Sequence, residues 1–127
     1  MGENIREKFV VDASVIVSIL SPDEKIGEMV EKKFRKFLKG EIEFVAPILL
    51  KYEVGNVLRN LILSRRTTTE IVDLEYQNFL NLEIQFVEPD YGAILSMAIL
   101  HKITFYDASY LFLSKKFKCK LLTLDKK

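Results

Sequence analysis

The chain has 127 residues, 49% of them hydrophobic, and its 29% of charged residues nearly cancel to a formal net charge of +1. That is the length of one globular domain with apolar side chains enough for a core, and it excludes a strong overall field drawing the chain to a polyanion or a membrane surface. Cys119 and His101 are each the only residue of their type, which excludes an internal disulfide and a Cys/His zinc cluster.

In chain order, Met1 to Lys8 is polar and charged. Phe9 to Val11 is a short β-branched and aromatic run that reads as a buried strand ending at Asp12. Ala13 to Leu20 then reads as a helix. The apolar stretch from Phe9 to Leu20 is broken by Asp12 and is shorter than the roughly 20 residues of a membrane span, so a cytoplasmic protein is expected. Ser21-Pro22-Asp23 is turn chemistry. From Glu24, Ile26, Met29, Val30, Phe34, Phe37 and Leu38 recur at helical spacing until Gly40.

Ile42, Phe44 and Val45 suggest a second strand closed by Pro47, which is also able to open a helix running to about Ser64. Thr67 to Thr69 offer caps for a helix carrying Ile71, Val72, Phe79 and Leu80. Ile84 to Val87 reads as a third strand, Pro89-Asp90 opens a helix through Leu100, Asp107 to Phe117 is helical, and Lys120 to Leu124 is a fourth strand. Strands alternating with helices imply a three-layer α/β/α fold with a mostly parallel central sheet of at least four short strands.

Four carboxylates stand inside or at the end of apolar runs: Asp12, Glu53, Asp107 and Asp125. Burying an unpaired carboxylate costs several kcal/mol, so each must be offset by hydrogen bonds, protonation or a cation. Each also has an ordinary explanation. Asp12 and Asp107 suit helix N-caps, Asp125 a turn, and Glu53 a border position whose head reaches water. The joint pattern argues against four coincidences. In an open parallel sheet, ligands bind beyond the carboxyl ends of the strands, and Asp12 and Asp125 each follow such an end. Glu53 has Leu49, Leu50 and Val57 one turn away, so its carboxylate is expected to face the sheet, with Asn56 beside it. All-oxygen ligands without His or Cys suit Mg2+ or Mn2+. Ser14 and Thr123, each two residues from an acid, are candidates for a supporting shell of hydrogen bonds.

Taken together, these residues resemble a PIN domain, the metal-dependent ribonuclease fold, and in size the toxin ribonucleases of the VapC type. Val10-Val11-Asp12-Ala13-Ser14 resembles the first-strand motif and Glu53-Val54-Gly55-Asn56-Val57-Leu58 the helix glutamate with its following Asn. Thr104 to Leu111 resembles the third-acid motif, and Leu121 to Asp125 the fourth strand and acid. The resemblance implies that Asp12, Glu53, Asp107 and Asp125 bind Mg2+ or Mn2+ for hydrolysis of RNA. It also implies a homodimer and a cognate antitoxin protein. One departure stands out: PIN domains usually continue past the fourth acid with a helix and often a strand, whereas this sequence stops at Lys127, so that either it is truncated there or it is a short family member whose single domain over residues 1–127 lacks them. The competing readings are a catalytically inactive PIN-like scaffold that binds RNA or a protein, and a PIN nuclease of RNA processing.

Arg65 and Arg66, after the Glu53 helix, are the basic residues singled out for RNA phosphates; the other clusters, Lys32 to Lys36 and Lys115 to Lys118, read as solvated helix faces. Tyr106 and Tyr110 flank Asp107, with core packing favoured over base stacking. Glu75 is the nearest rival to the four acids and is set aside because its apolar surroundings are weaker.

Overall fold

The computed structural model describes residues 5–21 and 27–125. Its elements are β1 (Glu7–Val11), α1 (Ala13–Leu20), α2 (Glu28–Leu38), β2 (Ile42–Pro47), α3 (Leu49–Leu63), α4 (Thr69–Leu80), β3 (Gln85–Val87), α5 (Tyr91–His101), α6 (Phe105–Phe117) and β4 (Lys120–Leu122). The expected α/β/α architecture with a parallel sheet is the one observed. All three strand pairings are parallel, in the order β3-β2-β1-β4.

Period-2 alternation builds the layers. Phe9 and Val11 on β1, with Phe44 and Ala46 on β2, enter the larger core, which α1 to α4 complete through Val15, Val30, Leu50 and Phe79. Val10 and Val45, the register pair between them, point the other way, into a cluster with Tyr110 and Leu113 of α6. α5 packs outside α6 through Ile94, Ala98 and Ala108. The helix α2 closes over β2 by stacking Phe37 on Phe44, with ring centroids 4.3 Å apart. The Tyr76 hydroxyl of α4 donates to the Lys51 carbonyl of α3 at 2.7 Å, fixing these helices side by side.

Several boundaries differ from the sequence expectation, each for a local reason. Pro47 is the last residue of β2 instead of a helix opener, and α3 starts two residues later. The helix expected from Asp107 starts at Phe105, because the Thr104 hydroxyl accepts the Asp107 N–H at 2.9 Å and is the N-cap. β4 ends at Leu122, where its pairing with β1 ends. The expected helical start at Glu24 and the turn residues Pro22 and Asp23 lie outside the described residues; α2 begins after Gly27, which is extended.

Candidate active site

The strand order fixes where a site forms. From β1 the chain steps through β2 to β3 on one side, whereas β4 lies on the other side of β1. The connections therefore diverge at the β1–β4 pair, and the crevice beyond its carboxyl ends is the place where an open α/β sheet accommodates a ligand. The final register pair is Val11 with Leu122. One residue further stand Asp12 and Thr123, and Asp125 follows.

Asp12 is 9% exposed. Its extended backbone makes it the N-cap of α1, and its Oδ1 accepts both the Val15 N–H at 3.3 Å and the Ser14 hydroxyl at 2.6 Å. The Ser14 oxygen in turn accepts the Leu124 N–H at 2.9 Å, which ties the segment after β4 to the start of α1. Thr123 accepts the Asp125 N–H at 3.0 Å. Ser14 thus supports an acid as the sequence suggests, but by bridging two chain segments.

Glu53 lies one turn into α3, and Asp107 in the first turn of α6, where the helix dipole favours a negative charge. Asp12, Glu53, Asp107 and Asp125 all line one cleft of about 1080 Å3, together with Ser14, Asn56 and Thr123. No Lys, Arg or His lines that cleft among the described residues. Glu53 feels the crowding: burial, and then the charges of Asp12, Asp107 and Asp125, push its carboxyl above its ordinary value of 4.5, opposed by a hydrogen bond from Tyr110. That bond runs from the Tyr110 hydroxyl to Glu53 Oε1. Burial and the neighbouring acids push the Tyr110 phenol well above its ordinary range, so it is a donor at any working pH.

The donor set is four carboxylates with no nitrogen or sulfur, which fits a hard divalent cation. Among the described residues no three of these side chains already stand as a ligand cage. Magnesium is ordinarily held by one or two carboxylates while keeping several waters, so a closed cage is not needed for it.

Other sequence candidates fall elsewhere. Arg65 and Arg66 follow the far end of α3, roughly 15 Å along its axis from Glu53 at 1.5 Å per residue, and do not line the cleft. Glu75 is buried on α4, more deeply than its sequence neighbours suggest, and is also outside the cleft. His101 is exposed at the end of α5. The cleft residue that the sequence undervalues is Tyr110, which it reads as core; its place three residues after Asp107 is the available signal, since residues so spaced share a helix face. Tyr52 was also missed. It is 74% exposed on the cleft wall, as Tyr106 is at 60%.

A parallel α/β/α sandwich whose switch-point crevice gathers acids from four separate segments defines a class of acid-site α/β domains. Residues 9–127 match the PIN domain, and the chain belongs to that family. It is 30% identical over 123 residues to ribonuclease VapC3 of Pyrobaculum aerophilum, covering 94% of this chain and 90% of that protein. The fold is similar to the crystal structure of PAE2754 from the same organism, with a TM-score of 0.73 and 24% identity over 95% of this chain and 76% of that one. It is also similar to Mycobacterium tuberculosis VapC20, described as a toxin that cleaves the sarcin-ricin loop, with a TM-score of 0.63 and 10% identity over 92% and 89%.

Proposed function

We propose that this chain is a VapC-type endoribonuclease that needs Mg2+ or Mn2+, and that it is the toxin of a toxin-antitoxin pair. The observation that carries the reading is the convergence of Asp12, Glu53, Asp107 and Asp125 on a cleft that no basic residue lines among the described residues. An RNA phosphate entering four carboxylates is repelled unless cations neutralise them. The name of the VapC3 relative supports the same activity.

In this reading Asp12, Glu53, Asp107 and Asp125 hold the ion. The chemistry that a bound divalent cation supplies is an activated water at neutral pH and an offset to the charge gathering on the scissile phosphate. The rest belongs to the chain. Ser14 holds Asp12 and draws the Leu124 segment against it; Tyr110 holds Glu53. The exposed rings of Tyr52 and Tyr106 give bases beside the cut a surface on which to stack. Asn56 and Thr123 offer neutral hydrogen bonds to waters or to the substrate.

The partners in this reading are an RNA substrate, an antitoxin protein and a second copy of the chain, in the cytoplasm. No helix among the described residues is long and apolar enough to cross a membrane. Apolar side chains exposed on α5, Tyr91, Leu95 and Ile99, are consistent with a surface that another subunit covers.

The deciding experiment is cleavage of a generic RNA with and without Mn2+. Cleavage that requires the ion and is abolished by Asp12→Asn supports the proposal; absence of Mn2+ binding by calorimetry defeats it. The competing reading is a PIN-like scaffold that binds RNA without cutting. RNA binding with no Mn2+-dependent cleavage would establish that reading instead.

A further inference from the structure

Local hydrogen bonds fix the side chain of Asp12 and the backbone at Asp107 and Asp125. Asp12 is held by Ser14 and Val15, Asp107 sits in a capped first turn, and the Asp125 N–H is held by Thr123. Glu53 differs. Its side chain has three torsions and projects from α3 beside the solvent-exposed Tyr52, and the hydroxyl it accepts from is 57 residues away.

That hydroxyl is itself rigidly placed. The Tyr110 ring is 6% exposed and packs with Val10, Val45 and Leu113 on the face of the sheet opposite the larger core. Asp107 lies one turn earlier on α6, so one helix face brings both an acid and a hydroxyl to the cleft. The hydroxyl reaches past the sheet's end to the helix on the other side. Docking of α6 therefore fixes one oxygen of Glu53 on α3.

We propose that Tyr110 is a positioning residue: it holds the Glu53 carboxylate in the acid cluster and thereby sets the affinity of the cleft for a divalent cation. The proposal rests on the metal-dependent reading above. Partners of this kind, once removed, typically cost ten- to a hundredfold in metal affinity.

The test is Mn2+ binding by calorimetry to the wild-type chain and to Tyr110→Phe, which keeps the packed ring and removes only the hydroxyl, alongside melting of both metal-free proteins and RNA cleavage across Mn2+ concentrations. The expected result is a Kd for Mn2+ raised about ten- to a hundredfold in a variant that still melts cooperatively. Cleavage by the variant should be lost at low Mn2+ and return at excess Mn2+, with an unchanged KM for RNA. Equal Mn2+ affinity in the two proteins overturns the proposal, as does a loss of cleavage that excess Mn2+ does not restore. Should Tyr110→Phe fail to fold, Tyr110→Met replaces it, since it fills the same place with a flexible apolar side chain and leaves Glu53 unchanged; unchanged Mn2+ affinity there overturns the proposal and a roughly tenfold or greater loss supports it. A wild-type chain that binds no Mn2+ removes the metal-dependent reading together with this one, whereas binding by wild type with no difference in the variant removes this one alone.

Discussion

At Asp12 a single carboxylate oxygen accepts both the Val15 N–H and the Ser14 hydroxyl, so helix capping and the cleft draw on the same side chain. The two roles separate by substitution. Asn is as good an N-cap as Asp but carries no charge, whereas Ala loses the cap at a cost of about 1 kcal/mol. Asp12→Asn is therefore expected to hold the stability of the metal-free protein and lose Mn2+ binding, and Asp12→Ala to lose both, as read by urea unfolding and calorimetry. Equal destabilisation by the two would mean that the charge itself is needed to fold. Glu53 gives a prediction in pH. Its carboxyl is raised above 4.5 by burial and by three neighbouring acids, so the folded protein favours the neutral form. Stability from that preference is complete below 4.5 and is lost as pH rises through the folded value. In EDTA, the melting temperature of the wild type should fall relative to Glu53→Gln between pH 4.5 and neutrality, because Gln keeps an acceptor for Tyr110 without the charge. A gap between the two that is constant with pH would argue against crowding as the cause.

At the scale of elements, the helix ends show what a single sequence hides. α2 ends where the sequence suggests, at Gly40 in the left-handed region, with Gly40 N–H and Glu41 N–H donating to Phe37 and Lys36 carbonyls. α3 ends in the same motif, but its left-handed residue is Arg65; α5 and α6 place Lys102 and Lys118 in that conformation. The left-handed region costs a residue with a Cβ roughly 1–2 kcal/mol, partly offset by the freedom that Gly loses on folding. Arg65→Gly is thus expected to raise the urea midpoint by up to about 1 kcal/mol in stability, and a fall would mean that the Arg65 side chain holds the helix end. The same comparison explains which elements were legible. The sequence places α1 to the residue because Asp12 caps an apolar run. The sequence places the start of α6 two residues late because Thr104, not Asp107, is its cap, and Asp107 lines the cleft instead.

For the whole molecule, the alternation of strands and helices made the layers legible, and the placement of acids at strand ends made the cleft legible. The strand order was not: only the position of β4 beside β1 brings Asp125 to Asp12, and only docking of α6 on the opposite face brings Tyr110 to Glu53. Such contacts join residues far apart in the chain and leave no periodic trace. The near-zero net charge also hides a partial separation, since the four acids share the cleft while Lys32, Lys33, Arg35, Lys36 and Lys39 line a depression along and just after α2, with Glu28 and Glu41 among them. Because the four acids repel one another in the folded state and far less in the extended chain, a cation that joins them favours the folded form. Mn2+ at a hundred times its Kd should stabilise the protein by about 2.7 kcal/mol, which for a chain of this size is a rise of roughly 10 °C in melting temperature. The shift should grow with the logarithm of Mn2+ concentration and be absent in Asp12→Asn. NaCl at matched ionic strength should reproduce little of it, because screening acts weakly on partly buried charges. A rise of equal size in Asp12→Asn or in NaCl would place the effect on the general surface and not on the cleft.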